Sequence, residues 1–125
     1  KKLIGMGKAI LGARILVMGM TFKENVADIR NSKVVDIINE LKDFGVEVDV
    51  VDPYADPEEV KKMYGFRLIE KPLGNYDAVV VAVAHDAYQG LDEKYFKSLT
   101  CDKAVLVDVK GMYRDKIHEL KYWSL

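Results

Sequence analysis

Three short, mostly apolar runs constrain the fold of this chain more than any other feature. They are Ala13–Gly19, Asp77–Ala84 and Ala104–Lys110, and each has the length of a strand. Their apolar residues follow one another without the alternation expected of a strand that has one face in water. Strands that are buried on both faces belong to parallel sheets with helices on either side. The runs therefore predict an α/β protein.

The segments between these runs supply the remaining elements. Two further strands are predicted, one at Val46–Val51 and a weak one at Phe66–Ile69, which makes five in all. Helical spacing and helix-start signals predict four helices, at Lys33–Gly45 with Ser32 as N-cap, Pro57–Tyr64, Asp92–Leu99 and Tyr113–Leu120.

The alternation of strands and helices predicts a doubly wound, mostly parallel five-stranded sheet, Rossmann-like, with helices on both faces. With right-handed crossovers, and with the strands numbered along the chain, we expect the order 3-2-1-4-5. A ligand would then bind beyond the carboxyl ends of strands one and four, where the winding reverses. The loops there are Met20–Arg30 and His85–Leu91, and the end of strand five is close by.

Length and composition exclude several classes. A chain of 125 residues fits one domain. Its 19 basic and 20 acidic residues give a net charge of -1, which argues against a nucleic-acid binder. No apolar run approaches the roughly 18 residues of a membrane span. With Cys101 as the one cysteine, an internal disulfide and a cysteine-based metal site are excluded, and a cytoplasmic setting is expected.

The first residues suggest an excerpt from a longer protein. The chain begins at Lys1 without Met and without a signal peptide. We therefore expect residues 1–12 to be a linker or the end of a preceding helix, and residues 13–125 to be one domain. The alternative is a mature chain with a loose N-terminus.

The loop after the first strand is not a standard dinucleotide cradle. Such a loop reads G-x-G-x-x-G, because the backbone must approach a pyrophosphate closely. Here only Gly19 is present, and Thr21 and Glu24 occupy the other two positions. Asp52, after the second strand, has the position of a ribose-binding acid but lacks the glycine pattern that would support that role. A Walker-type loop is also excluded, because no G-K-S/T follows the strand.

The same loop does carry groups suited to an anion. Lys23 and Arg30 lie close to a predicted helix start, where free N–H groups and the helix dipole favour negative charge. The alternative is that Asp28, Asn31 and Ser32 are caps, that Arg30 pairs with Asp28, and that Lys23 is a solvated surface charge.

The twelve residues from Thr21 to Ser32, TFKENVADIRNS, resemble the signature that opens the C-terminal domain of the UDP-glucose/GDP-mannose dehydrogenase family. The similarity continues in order through Asp52-Pro53, the strand Ala78–Ala84 with His85, and the segment Asp108–Gly111, and covers about Gly12 to Tyr113. The signature is most similar to that of the bacterial branch that acts on UDP-N-acetylhexosamines for capsule and O-antigen synthesis.

The resemblance implies a nucleotide-sugar-binding domain of an NAD-dependent UDP-sugar 6-dehydrogenase, an enzyme that oxidises C6 from alcohol to carboxylate. It implies that Phe22, Lys23 and Lys110 bind the UDP-sugar and that Arg30 approaches NAD. Where relatives carry arginine, Lys110 lacks the bidentate fork. The partners implied are a UDP-sugar, the rest of the parent chain and a second subunit, with no nucleic acid and no membrane.

The family's cofactor-binding domain and catalytic cysteine motif are not found in this sequence, so the fragment is expected to be inactive and to hold no catalytic residue. Cys101 matches no such motif and is expected to be structural, as is His85, although His85 could also touch a ligand. His118 is expected at the surface. We expect Tyr88, Tyr95 and Phe96 to anchor their segments on the sheet, and Tyr122-Trp123 to pack back or to meet a missing domain.

A different class of function stays open as the alternative, a non-enzymatic Rossmann-like regulatory or nucleotide-binding module. A receiver domain would need acidic residues after the first strand and an aspartate after a central strand. Met20-Thr21 and Ala82–Ala84 supply neither.

Overall fold

A computed structural model describes residues 12–124. The strands are β1 (Arg14–Met18), β2 (Glu47–Val51), β3 (Tyr76–Val81), β4 (Thr100–Asp108) and β5 (Lys121–Ser124). The α-helices in this part of the chain are α1 (Lys33–Asp43), α2 (Pro57–Tyr64) and α3 (Glu93–Leu99), and a 3-10 turn spans Asp86–Tyr88. The predicted linker, residues 1–12, lies outside the described residues except for Gly12.

The sheet has five strands in the order β2-β1-β3-β4-β5, and every neighbouring pair is parallel. The predicted fold class is therefore confirmed, as is the relative order of the four strands common to the prediction and the structure. Helices cover both faces of the sheet. Buried side chains of α1 and α2 pack with one core cluster, and Phe96 of α3 packs with the other.

The predicted strand at Phe66–Ile69 is wrong. Phe66 and Leu68 are buried in the core, but the segment does not extend the sheet. Its backbone meets β2 through a hydrogen bond of 2.9 Å from the N–H of Ile69 to the carbonyl of Val50. Burial of these apolar side chains anchors the segment without a strand ladder, so β2 is the edge of the sheet.

The predicted helix at Tyr113–Leu120 is also wrong, because a carboxylate from α3 takes backbone N–H groups that the end of such a helix would need. Glu93 accepts from the N–H groups of residues 118, 119 and 120, which holds the pKa of its carboxyl below the usual value. The chain then forms β5 beside β4, so Tyr122-Trp123 packs back onto the domain.

Gly19 allows the chain to leave the sheet at the carboxyl end of β1. Its φ is +93°, a conformation that L side chains rarely adopt. A Cβ atom here would lie 2.7 Å from the Cβ and 3.0 Å from the backbone nitrogen of Val83, which follows β3. The loops after β1 and β3 can approach this closely because residue 19 has no side chain.

Within residues 12–124, no helix combines the length and apolar character that crossing a membrane requires.

Candidate functional site

A groove of about 360 Å³ lies at the carboxyl ends of β1, β3 and β4. Three loops and the start of α1 form its walls, and its lining residues are Thr21, Phe22, Lys23, Glu24, Asn31, Lys33, Val34, Ile37, Ala82, Val83, Val109 and Lys110. The groove thus lies at the point of the sheet where the winding reverses. The loop Met20–Arg30 contributes to it as predicted, whereas no residue of the other predicted loop, His85–Leu91, lines it.

The groove combines positive charge with an apolar wall. Lys23, Lys33 and Lys110 line it with one acid, Glu24, so its side chains carry a net charge of +2. Two large apolar side chains on this wall are partly in water, Phe22 at 57% exposure and Ile37 at 43%. A site with a few cations beside apolar surface suits a ligand that has an anionic group attached to a ring system.

Lys33 lines the groove but was not predicted from the sequence. The residue stands at the first position of α1, and its side chain faces the same groove as Lys23 and Lys110. Ser32 has the predicted N-cap position, but its hydroxyl donates to the carbonyl of Met20 at 2.6 Å and caps no amide of the helix. The serine side chain therefore leaves the first-turn N–H groups of α1 to other partners.

Asp52 is a buried anchor for the loop after β1. Its Oδ2 accepts hydrogen bonds from the N–H groups of Met20 at 2.7 Å and Thr21 at 3.2 Å. Its Oδ1 accepts from the N–H groups of Tyr54 and Ala55. This carboxylate is occupied by its own loops and has no free face for a ribose, so the second strand ends in a structural acid.

His85 lies beneath the loop and not in the groove. Its side chain is completely buried, and its Nε2 lies 3.0 Å from Oδ2 of Asp52. The rings of Tyr54 and Tyr88 pack against the imidazole, with centroids 4.5 and 5.4 Å away. The structure therefore agrees with the structural role expected for His85.

A second buried carboxylate shapes the opposite wall of the groove. Asp108 ends β4, and its two oxygens accept hydrogen bonds from the N–H groups of Met112 at 3.0 Å and Tyr113 at 2.7 Å. The turn that these bonds close contains Lys110. The lysine is exposed, and its backbone is fixed by a group in the core.

Arg30 does not join the groove. Its guanidinium lies against the Asp28 carboxylate in two hydrogen bonds of 3.0 Å, and its side chain is 74% exposed. The hydrogen bond lowers the pKa of Asp28 and raises the pKa of Arg30. The structure thus brings Phe22, Lys23 and Lys110 together and holds Arg30 apart from them.

The remaining candidates have the structural positions that we expected. Phe96 and Tyr88 are buried in the second core cluster, with Tyr95 packed against it. His118 is exposed. The Sγ of Cys101 lies 3.4 Å from Oδ1 of Asp77, away from the groove. No group of three or more His, Cys, Asp or Glu side chains within residues 12–124 could hold a metal ion.

Residues 16–115 match the UDP binding domain of the UDP-glucose/GDP-mannose dehydrogenase family. Because the match spans most of the chain, this protein belongs to that family. The groove lies within the matched residues, and each of its three lysines is included in them.

Similar proteins point to the same family. The chain is 39% identical over 111 residues to a UDP-N-acetyl-D-glucosamine 6-dehydrogenase of Pseudomonas aeruginosa, a match that covers 88% of this chain and 26% of the relative. It is 42% identical over 113 residues to Protein CapL of Staphylococcus aureus, covering 90% and 26%. The chain thus spans about a quarter of the length of these relatives.

Solved structures share the fold. A structure of an NDP-N-acetyl-D-galactosaminuronic acid dehydrogenase from Methanosarcina mazei Go1 superposes with a TM-score of 0.86 at 23% identity, covering 98% of this chain and 26% of the other. A structure of a UDP-D-MAnNAc dehydrogenase from Pyrococcus horikoshii gives a TM-score of 0.79 at 20% identity, with coverage of 98% and 27%. At these sequence identities, the structural similarity shows only that the fold is shared.

Proposed function

We propose that the groove binds the UDP part of a UDP-sugar, and that the chain is the nucleotide-sugar-binding, C-terminal domain of an NAD-dependent UDP-sugar 6-dehydrogenase. The observation that carries the proposal is the convergence of Lys23, Lys33 and Lys110 on one groove in a chain that matches the family's UDP binding domain. We assign the domain to residues 13–125.

The lysines would bind the charged part of such a ligand, and the apolar wall would contact its less polar part. Charge-assisted hydrogen bonds from ammonium groups to a diphosphate are stronger than neutral ones, at about 1.5–3 kcal/mol each. Phe22 and Ile37 offer exposed apolar surface for the less polar part of the ligand. Glu24 disfavours a second anionic group at its own side of the groove.

The reaction of the parent enzyme would be the oxidation of the C6 alcohol to a carboxylate, giving a UDP-uronic acid for polysaccharide synthesis in the cytoplasm. Binding energy on the remote UDP group orients the reacting carbon, so a domain without reactive groups still contributes to the rate. The relative at 39% identity, a UDP-N-acetyl-D-glucosamine 6-dehydrogenase, favours an N-acetylhexosamine as the sugar.

NAD would be bound mainly by another part of the parent enzyme. Among the residues after β1 only Gly19 fits a dinucleotide cradle, and the Asp52 carboxylate is already engaged by loop amides. The cofactor contact that we propose from this chain is Arg30. To make it, the guanidinium must leave Asp28, which is possible because this ion pair is exposed and its two groups can exchange each other for water.

The proposal is tested by titrating the chain with UDP, uridine and NAD while recording ¹H–¹⁵N spectra. We expect UDP to bind with a Kd near 1 mM, about −4 kcal/mol, and to shift the amides of residues 21–24, 33 and 109–110. Uridine should bind more weakly because it lacks the diphosphate. Lys23→Glu should abolish binding.

The matched control is Lys61→Glu, which reverses the same charge on α2 in a different depression of the surface. It should leave the UDP titration unchanged. The absence of UDP-dependent shifts at millimolar ligand would contradict the proposal. So would a complex in which the diphosphate of NAD lies on residues 21–25.

A further inference from the structure

His85 connects the core to the loop that carries Phe22 and Lys23. The backbone N–H of Asn25 donates a hydrogen bond of 2.9 Å to Nδ1 of His85. A ring nitrogen that accepts from an amide carries no proton, so the neutral ring has its proton on Nε2. Nε2 lies 3.0 Å from Oδ2 of Asp52 and can donate to it. The contacts with Asn25 and Asp52 therefore specify one tautomer.

The loop that contributes Phe22 and Lys23 to the groove is held at two points. At its start, Asp52 accepts from the N–H groups of Met20 and Thr21. At its end, Asn25 donates to His85, and its side-chain Oδ1 accepts from the N–H of Asp86 at 2.8 Å. Residues 22–24 are exposed between these two anchors. Within the loop, the N–H of Phe22 donates to the carbonyl of Asp28 and the hydroxyl of Thr21 donates to the carbonyl of Lys23. These bonds shape the loop, and the two anchors join it to the rest of the domain.

The conformation of Asn25 makes the second anchor more important. Its φ is +62°, in the left-handed region that non-glycine residues seldom adopt, although asparagine does so more readily than most. Such a conformation persists where neighbouring contacts hold it. For Asn25 these contacts are one backbone and one side-chain hydrogen bond to residues 85 and 86.

We propose that His85 is a positioning residue for the nucleotide site. In its Nε2–H form it accepts from Asn25 and donates to Asp52, and it thereby fixes residues 22–24 so that Phe22 and Lys23 face the groove. It makes no contact with the ligand. This inference rests on the proposed function, since it explains how the UDP-binding loop is held.

Two substitutions separate the two hydrogen bonds of the ring. In His85→Asn the side-chain oxygen can occupy the position of Nδ1 and still accept from Asn25. In His85→Gln the amide nitrogen can occupy the position of Nε2 and still donate to Asp52, but Asn25 loses its acceptor. The expected result is that His85→Gln weakens UDP binding about tenfold, the equivalent of one hydrogen bond, while His85→Asn retains more of the affinity.

A residue that serves only the stability of the core would give a different result. Both variants would then lower the thermal midpoint, and both would bind UDP with the wild-type Kd at a temperature where they are folded. Equal, unchanged affinities in the two folded variants would overturn the proposal.

Two measurements need no UDP and keep this inference distinct from the proposed function. A long-range ¹H–¹⁵N spectrum of the wild-type histidine rings should show Nδ1 of His85 unprotonated and Nε2 protonated. Amide exchange at Asn25 should be faster in His85→Gln than in the wild type. If UDP does not bind but both results are obtained, the proposed function fails while the anchoring of the loop stands. A proton on Nδ1, or unchanged exchange at Asn25, would overturn the inference even if UDP binds, and the ring spectrum requires no variant to fold.

Discussion

The hydroxyl of Tyr122 in β5 donates a hydrogen bond of 2.5 Å to Oδ2 of Asp108, the last residue of β4. The same oxygen accepts from the backbone N–H of Tyr113. One buried carboxylate therefore joins the edge strand to the turn that carries Lys110.

Tyr122→Phe should destabilise the fold by about 1–2 kcal/mol, because it removes one hydrogen bond to a charged acceptor from a half-buried site. The bonds from Met112 and Tyr113 to Asp108 remain, so the turn of Lys110 should keep its shape. Urea denaturation measures the first effect, and an unchanged Kd for UDP checks the second.

Asp108→Asn is the companion variant and should cost more than Tyr122→Phe. The amide nitrogen of the asparagine would replace one carboxylate oxygen and would face hydrogen-bond donors. Buried N–H groups would then have no acceptor. A variant at Asp108 that is as stable as Tyr122→Phe would contradict the anchoring role of the carboxylate.

Among substitutions that add one carbon atom in the described part of the chain, Gly19→Ala should be one of the most destabilising. The new Cβ would lie 2.7 Å from the Cβ of Val83 on a backbone with φ of +93°. Left-handed strain and overpacking together predict a loss of about 2–5 kcal/mol, measured by urea denaturation.

The control is Gly65→Ala at the end of α2. Gly65 has a φ of +81°, but a Cβ added there would point into open space, with no contact within 4 Å. Only the conformational strain applies, so the loss should be about 1–2 kcal/mol. Equal losses at the two glycines would show that contact with Val83 is not what requires Gly19.

Lys33 should contribute to binding of the diphosphate. Replacing it in Lys33→Gln removes one of three cations from the groove and should weaken UDP binding about threefold to tenfold, equal to about 0.7–1.4 kcal/mol. Uridine binding should change little, because uridine carries no phosphate. The comparison is Lys61→Gln outside the groove; if both lysines have the same effect, only the overall charge of the protein matters.

Much of the fold follows from the sequence because strands that are buried on both faces appear in it as continuous apolar runs. The strands β1, β3 and β4 lie within or overlap the three apolar runs of the sequence. Helix α2 has the predicted bounds, since Asp56 accepts from the N–H of Glu58 and Pro57 stands at the first position.

The C-terminal segment shows where pattern alone fails. Tyr113, Ile117 and Leu120 recur at helical spacing, and all three pack with the second core cluster. The N–H groups of residues 118–120, however, donate to the carboxylate of Glu93 in α3, which is 25 to 27 residues away in the sequence. Hydrogen bonds between residues distant in sequence are not visible in local periodicity, so both the irregular segment and β5 were missed.

The candidate site divides in the same way. Phe22, Lys23 and Lys110 were predicted from the resemblance to the family, and the structure places them in one groove. Lys33 was missed because the folded sheet, and not proximity in the sequence, brings it to the same groove as Lys110. The alternative pairing of Arg30 with Asp28 was open in the sequence, and the structure shows it.

Alkaline pH should destabilise the protein through its buried tyrosines. Burial, with a smaller contribution from the hydrogen bond to Asp49, raises the pKa of Tyr76 to about 12. Burial likewise raises the pKa of Tyr122 to about 12, with Asp108 as the further cause. An unfolded tyrosine ionises near pH 10. Between about pH 10 and pH 12 the unfolded chain therefore releases protons that the folded chain keeps, and the free energy of unfolding falls as the pH rises. Below about pH 10 these two groups add no pH dependence.

Urea midpoints measured at about pH 9 and about pH 11 should show this decline in stability. The decline should be smaller in the double variant Tyr76→Phe, Tyr122→Phe. Part of the decline should persist in that variant, because burial also raises the pKa of Tyr88 and Tyr113. The same decline in the wild type and the double variant would show that other groups, such as the lysines, cause the alkaline loss.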